Sequence, residues 1–418
     1  MTTRHSNAGA TPPVLIVGEG TGALGAARSL ARVGIAVYCV HKRRRGAGLA
    51  SRYWRRRFLV GERDFALDRH LTVVMRAVET IGPPVVLIPT GDRETVVVAD
   101  AAADGRVIVP RQTPDLVRSL INKPQMLGLA ARHGLRTPRT TQPASVDEAR
   151  RQAEEFTFPV IIKMADPVST WKQNFVFRSA QELSEWSRAV PADLFRQVIV
   201  QEWIPGEDSD TWVFNGYFDE RSTCLAGFTG RKIRQVPVFA GVGSLAVCER
   251  NDELYRQSVR FLSGIGYVGP VDIDYRHDHR DGAYKILDVN PRIGGVFRLG
   301  ATADGLDLVR VFYRHVTGQP VPAYAPVEGR KWMIEDDLVA ALRYWQAGRL
   351  RLRDWVGSLR GIRETAYLAL DDPMPAVVWT ASKVRKAIRL AFRRQTPGPR
   401  LAGDGAASGR TGKLAEPE

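Results

Sequence analysis

Two strand-like runs, separated by a turn, carry polar residues on one side only, and this pattern constrains the 418-residue chain more than any other. Val268-Gly-Pro-Val-Asp-Ile-Asp-Tyr275 places Asp272 and Asp274 at alternate positions. Tyr284-Lys-Ile-Leu-Asp-Val-Asn-Pro-Arg292 does the same with Asp288, Asn290 and Arg292. In a strand, alternate side chains share a face. The turn signal His277-Asp-His-Arg-Asp-Gly282 lies between the runs, so an antiparallel hairpin brings Asp274 near Asp288 and Asn290. An acid, an amide and a guanidinium in a row suit a Mg²⁺ ion and the phosphates it carries, because magnesium takes oxygen ligands and arginine pairs with phosphate oxygens. Each residue alone would be an ordinary polar side chain of an edge hairpin. The constellation is what points to chemistry.

The chain opens differently. Pro13-Val-Leu-Ile-Val-Gly-Glu-Gly-Thr-Gly-Ala-Leu-Gly25 is a buried strand running into a glycine-rich turn, followed by a helical pattern over Ala26 to Val33 and a second strand, Ile35 to Val40. Gly18, Gly20, Gly22 and Gly25 fit a dinucleotide-binding turn. No acid ends the second strand to hold a ribose 2′-hydroxyl. His41-Lys-Arg-Arg-Arg45 stands there instead, which leaves NADP as a minority reading beside simple helix-on-strand packing or a substrate-facing loop. Val85 to Pro89 and Val107 to Val109 are further strands, with a helix over Asp68 to Thr80. The alternation predicts a parallel α/β sheet.

Beyond residue 119 the character changes. Leu120 to Ala131 predicts a helix with Lys123 near its start, and Phe158 to Lys163 a strand ending in lysine. Val198-Ile-Val-Gln-Glu-Trp-Ile-Pro-Gly206 is a strand that breaks into the acidic turn Glu207 to Asp210. Gly230-Arg-Lys-Ile-Arg-Gln235 is a basic strand. Residues 335–395 are predicted mostly helical. Within them, residues 377–394 form a basic amphipathic helix with Val377, Ala381, Val384, Ile388 and Ala391 along one stripe. That stripe is expected to dock on the protein's own body, with peripheral membrane contact as the alternative. The segment from Thr396 is rich in Gly, Pro and Ala and is expected to be disordered.

Composition narrows the function classes. The net charge of +15 comes from two patches: residues 41–58 hold eight Lys/Arg and no acid, and residues 380–418 hold nine Lys/Arg against three acids. The rest of the chain is nearly neutral. Neither patch has the aromatic-studded groove or zinc-finger spacing of a nucleic-acid reader, so no nucleic acid is expected. The first patch suggests that Lys42 to Arg45 face a ligand crevice. Cys39, Cys224 and Cys248 are widely spaced and fit neither a disulfide framework nor a zinc site. With no apolar run of bilayer length, the expectation is a soluble cytoplasmic protein.

With the lysine helix, the lysine-ended strand, the Gln-Glu-Trp-Ile-Pro-Gly turn and the Asp-Val-Asn-Pro-Arg strand in this order, the chain resembles the ATP-grasp superfamily, and within it the carboxylate–amine ligases of the D-aspartate-ligase type. The resemblance covers about residues 14–320. It implies a pre-ATP-grasp parallel α/β domain over 13–119 and a two-lobed α+β ATP-grasp domain over 120–320, with lobes at about 120–200 and 201–320. A helical C-terminal extension follows over 321–395, and 1–12 and 396–418 are disordered ends. By resemblance, Lys123 and Lys163 reach ATP phosphates, Glu202, Trp203 and Ile204 form the adenine hinge, and Asp208 or Asp210 holds the ribose. Lys232 and Arg234 share one strand face toward the phosphates. Asp274, Asp288 and Asn290 are the metal ligands, and Arg292 meets the transferred phosphoryl group.

The implied activity is formation of an amide from a small-molecule carboxylate and an amine, with ATP and Mg²⁺ or Mn²⁺ as cofactors and a homodimer as an open assembly. Two departures stand out. The family usually has glutamate where this chain has Asp274 and Asp288, and Met164 to Asn174, where many relatives carry a glycine-rich phosphate lid, holds no glycine, leaving Lys172 and backbone amides to serve. The competing readings are a nucleotide-binding protein of this fold without turnover, and an NADP-dependent oxidoreductase built on the N-terminal glycines.

Overall fold

Short apolar runs that alternate with amphipathic helices produce a parallel sheet, and the first hundred residues do so. The computed structural model describes residues 11–42, 46–61, 66–166, 174–237 and 241–395. Strands β1 (Val14–Val17), β2 (Val37–His41), β3 (Trp54–Leu59), β4 (Val85–Pro89) and β5 (Val107–Ile108) pair in the order β3-β2-β1-β4-β5, all parallel. Helices α1 (Thr21–Ala31), α2 (Leu67–Ile81) and α3 (Asp92–Ala101) cover the faces. In α2, His70, Val74, Ala77 and Val78 are buried, the spacing of one helical stripe. Strand β3 was not expected from the sequence: its Arg55, Arg56 and Arg57 are exposed, and these charges blunt the sheet edge against further pairing.

The predicted helix over Leu120 to Ala131 is two helices, α4 (Pro114–Ile121) and α5 (Lys123–Arg132). The break falls at Asn122, whose side chain caps α5 by accepting from the Gln125 amide at 3.2 Å. A small antiparallel sheet follows, β6 (Thr140–Thr141), β7 (Val160–Met164), β8 (Phe175–Phe177) and β9 (Val198–Glu202) in the order β6-β9-β7-β8, with α6 (Val146–Glu154) and α7 (Ala180–Ala189). The core of this lobe includes Phe156, Ile162, Phe177, Leu183, Leu194 and Val200.

The largest sheet orders its strands β14-β13-β10-β11-β12-β15-β16. They are β10 (Thr211–Phe218), β11 (Cys224–Val236), β12 (Val242–Cys248), β13 (Gly269–Asp278), β14 (Ala283–Asn290), β15 (Lys331–Met333) and β16 (Ile362–Thr365). Its outer face packs on α5 and α8 (Asp252–Gly264) through Phe214, Ile273, Tyr275 and Val289. Part of its inner face joins α1 and α9 (Leu308–Val316) in the largest core, which includes Tyr217, Phe228, Phe297 and Phe312 and fastens the first domain to this sheet.

The C-terminal segment holds three helices, α10 (Asp337–Gln346), α11 (Leu352–Ser358) and α12 (Met374–Gln395). It is not only helical, because it also supplies β15 and β16. The expectation that the α12 stripe docks on the body is not met at Val377 and Val384, and the side chains of Ile388 and Ala391 lie outside those described. Val377 and Val384 are 55% and 51% exposed. The opposite side of α12 makes the contact, with the Trp379 ring stacked on Tyr367 and its Nε1 donating to Asp336 at 3.1 Å. Residues 1–10 and 396–418, the expected disordered ends, lie outside the described residues, as does Arg43 to Arg45 of the first basic patch.

A buried ion pair ties this segment to the first domain. Arg28 of α1, 2% exposed, donates Nε to Asp372 at 2.9 Å and two further nitrogens to the Ala366 and Tyr367 carbonyls at 2.9 and 2.7 Å. Asp372 also accepts from the Ser51 hydroxyl and the Arg52 amide. Asp372→Ala leaves the Arg28 charge buried without its carboxylate, and the expected loss is about 3 to 5 kcal/mol. Urea denaturation measures it, and a loss below about 1 kcal/mol would contradict a clasp of this kind.

Candidate active site

In the β13–β14 hairpin Asp274 pairs directly with Asp288, and Asp272 with Asn290. One extra residue, Leu287, bulges between the Asp274–Asp288 and Tyr275–Ile286 pairs. Two carboxylates opposite one another on a pleated face repel, and each is met by a lysine from elsewhere. Lys232 Nζ, from β11, lies 2.7 Å from Asp274 Oδ1. Lys123 Nζ, from the first residue of α5, donates to Asp288 Oδ2 at 2.7 Å. The Lys123 amide donates to the Ala165 carbonyl at 2.8 Å, so the helix start is tied to the end of β7.

Lys163, on β7, donates to Gln201 Oε1 at 2.9 Å, and Gln201, on β9, donates onward to Thr140. Burial, reinforced by the Lys123 charge, pulls the Lys163 ammonium down to about 8. Asp272 is pushed up to about 6 by burial and by the charge of Asp274; Asn215 donates to it at 2.9 Å. Arg292 closes the row. Its Nε donates to Asp92 Oδ1 at 2.8 Å, its Nη2 to Asn290 Oδ1 at 3.2 Å, and its Nη1 lies 3.8 Å from Asp272. Burial would lower the guanidinium, but Asp92 and Asp272 outweigh it and raise it. Asp92 begins α3 of the first domain, so this ion pair spans the two domains.

The donor set suits a divalent cation with a preference for oxygen. Asp274 and Asp288 offer carboxylates from directly opposed positions. Asn290 Nδ2 donates to the Asp272 carbonyl at 3.2 Å, which leaves its oxygen on the side of Arg292.

The hinge residues divide by atom. The Glu202 carboxylate is bound to Arg280 at 2.8 Å, Lys285 at 3.3 Å and the Arg139 amide at 2.9 Å, so its side chain ties β9 to the hairpin. The Glu202 and Trp203 amides donate to the Arg139 and Pro159 carbonyls, and the Ile204 carbonyl accepts from Arg276. Among the described residues the Trp203 carbonyl and the Ile204 amide have no such partner, an acceptor and a donor in sequence.

Two expectations change at the edges of the site. Arg234 does not face it. Strand β11 bulges at Ile233, since Lys232 pairs with Ala246 and Arg234 with Leu245, and the shift turns Arg234 away. Its guanidinium is buried on Asp337 of α10 at 2.6 Å and donates to Ser358. Asp208 accepts from Gln235 at 2.9 Å and from the Tyr344 hydroxyl of α10, and burial raises its carboxyl. It therefore anchors α10. Asp210 accepts from the Glu207 amide at 2.7 Å and lies 2.9 Å from His279 Nε2. Of the lid segment, Pro167 to Gln173, including Lys172, falls outside the described residues.

Sequence reasoning missed Asp92, Gln201 and Asp272 as site members. Asp272 had the alternation signal; Asp92 and Gln201 are single polar residues with no local pattern. The N-terminal glycines have a structural use. Gly22 lies against the Gly294 carbonyl, 3.1 Å from where a Cβ would stand, and Gly25 against the Phe297 ring at 3.0 Å. The Ile293 amide donates to the Pro89 carbonyl at 3.4 Å. The segment after Arg292 thus packs at the carboxyl ends of β1 and β4, where the strand order reverses and ligand crevices form in open α/β sheets.

Three sheets stand in this arrangement, with lysines from two lobes converging on an acidic hairpin, as the resemblance to the ATP-grasp superfamily implies. Residues 219–334 match the family model described as ATP-grasp in the biosynthetic pathway with Ter operon. The chain is 30% identical over 220 residues to D-aspartate ligase of Enterococcus faecium (strain Aus0004), covering 49% of this chain and 51% of that one. It is 23% identical over 194 residues to the carbamoyl phosphate synthase large chain of Thermomicrobium roseum, covering 44% of this chain and 18% of that one. The chain spans about half or less of the length of these curated relatives. In structure it is similar to L-amino acid ligase from Bacillus licheniformis, with TM-score 0.58, 15% identity and 77% and 78% of the two chains covered. It is also similar to N5-carboxyaminoimidazole ribonucleotide synthetase in an ADP complex, with TM-score 0.60, 13% identity and 81% and 86% covered.

The lowered Lys163 predicts a pH effect. The folded state releases this proton near pH 8 and the unfolded chain near 10.5, so between those values the unfolded state binds more protons and stability rises with pH. Lys163→Met removes this contribution. The stability of wild type relative to the variant should therefore increase from about pH 7.5 to 10, read from urea midpoints. A difference that is flat or falls over that window would contradict the burial of a charge at Lys163.

Proposed function

We propose that this protein is an ATP-dependent ligase that joins a carboxylate to an amine through an acyl phosphate, releasing ADP and phosphate. The observation that carries the reading is the directly opposed pair Asp274 and Asp288, each held by a lysine from a different element. An edge hairpin of merely solvated residues would not draw Lys123 and Lys232 onto its two acids. The likeness to D-aspartate ligase and to L-amino acid ligase supports the same reaction class.

In this reading the Trp203 carbonyl and the Ile204 amide accept from and donate to the adenine edge, and Asp210 is placed for the ribose. Lys163 and Lys123 hold phosphate oxygens. Asp274, Asp288 and Asn290 hold Mg²⁺, with Mn²⁺ as the alternative, and the ion supplies charge neutralisation at the phosphoryl group when bound. Lys123 and Lys232 neutralise the two carboxylates, and with a divalent cation held there both ammonium groups would be free to hold phosphate oxygens. Arg292, fixed by Asp92, meets the transferred phosphoryl group from the side of the first domain, where the carboxylate substrate is expected. A carboxylate oxygen attacks the γ-phosphorus and ADP leaves; the amine nitrogen then attacks the acyl carbon, loses a proton and expels phosphate. Preorganised charge does most of this work, so no side-chain nucleophile is needed. A cytoplasmic location, with its ATP supply, belongs to the same reading.

An ADP-release screen over pairs of carboxylates and amines, with products read by mass, tests the proposal. ADP formation that no pair raises would count against a ligase. Asp288→Asn keeps size and removes one charge. ADP formation with an active pair should fall by about two orders of magnitude or more, while stability stays within about 1 kcal/mol of wild type. Wild-type turnover in this variant would overturn the metal assignment.

A further inference from the structure

Exposed apolar side chains are concentrated in the C-terminal segment. Of the fifteen large hydrophobic residues exposed among the described residues, eleven lie between Leu338 and Val384. Leu370 is 98% exposed. A groove of about 580 Å³ runs along α12, lined by Leu368, Pro373, Ala376, Val377, Ala381 and Val384 among others. The side of α12 that holds the body fixes which way this groove faces. Trp379, two residues from Val377 and so roughly 200° round the helix, is bound to Asp336 and stacked on Tyr367. Lys383 is bound to Asp336 as well. Val377 and Val384 of the apolar stripe therefore point away from the protein.

Along α12 itself the charge has one sign, and Asp371, beside Leu370, is paired with Arg32. From Pro373 to Gln395 the sequence holds Lys383, Arg385, Lys386, Arg389, Arg393 and Arg394, and no acid. Arg385, Lys386 and Arg389 are exposed, and Arg385 lines the groove. We infer that α12, with Leu368 and Leu370, docks on the surface of an anionic phospholipid bilayer. The basic residues ask for an anionic partner, and the stripe asks for hydrocarbon directly beneath the charge; a lipid interface supplies both in that order. A second copy of the chain would bring the same positive charge to the contact. A nucleic acid would satisfy the arginines and leave the groove in water. No helix among the described residues is long and apolar enough to cross a membrane, so α12 would lie along the surface.

Co-sedimentation of the full chain with vesicles of equal parts phosphatidylglycerol and phosphatidylcholine tests the inference, with pure phosphatidylcholine vesicles as control. Binding to the anionic vesicles should exceed the control by at least about ten-fold at low salt and weaken as salt is raised. Leu370→Glu with Val377→Glu should lose at least about ten-fold of that binding. These positions are exposed, so the melting temperature should be unchanged, and it confirms that the variant is folded. Arg385→Ser with Lys386→Ser and Arg389→Ser should bind less and show a smaller salt dependence. Absence of vesicle binding at low salt would overturn the inference, and so would wild-type binding by the folded glutamate variant. Self-association that Val377→Glu abolishes, without any vesicle binding, would give the face to a second copy and also overturn it.

Discussion

Two like charges opposed on a sheet are an arrangement that folding normally avoids, and the organisation of this protein follows from having one at Asp274 and Asp288. Neutralising them takes cations from parts of the chain that are far apart in sequence. Lys123 comes from the start of a helix that packs on the outer face of the large sheet, and Lys232 from a strand two places away in that sheet. Positioning Lys123 requires the cap at Asn122 and the bond from its own amide to Ala165, which couples the small lobe to the hairpin. The acidic pair thus sets how the small lobe, the helix and the large sheet meet.

The first domain enters through the other end of the same row. Arg292 is fastened by Asp92, and the glycines at 22 and 25 let α1 approach Gly294 and Phe297 closely. The C-terminal segment acts as a strap over this junction. Arg28 and Asp372 hold it to α1, Arg298 and Arg330 bind Glu364 of β16, and Arg234 and Asp208 are drawn to α10. Two residues expected at the nucleotide are therefore spent on fixing the strap.

What the sequence made legible has a common physical basis. Alternation places Asp272, Asp274, Asp288 and Asn290 on one face regardless of tertiary context, because a strand has period two. The turn residues at 277–282 determine that the two strands return antiparallel. The same rule misplaced Arg234, since a bulge at Ile233 breaks the period and leaves no mark in the composition. Strand β3 was hidden by its arginines, which suit an edge and mimic a loop. Helix α12 was legible from its pattern, yet periodicity says only that a helix has two faces. Which face meets the body is decided by Asp336 and Tyr367, more than ten residues away in the chain and invisible to a helical pattern.

The balance of charge in the site indicates what it is built to receive. Asp92, Asp274 and Asp288 each touch a cation, and Asp272 lies near Arg292. Lys163 is the exception, since its ammonium hydrogen-bonds to the neutral Gln201 oxygen and not to a carboxylate. Burial and the charge of Lys123 both act against it, and the more distant Asp274 and Asp288 only partly compensate. A cation held in such surroundings without a carboxylate raises the energy of the free protein. Bringing in an anion relieves that energy at Lys163. If Asp274 and Asp288 held a divalent cation, they would stay neutralised without Lys123 and Lys232. The free site is thus short of one negative charge at Lys163 while its opposed acids are held by ammonium groups, and the proposed polyphosphate with its metal would answer both conditions together.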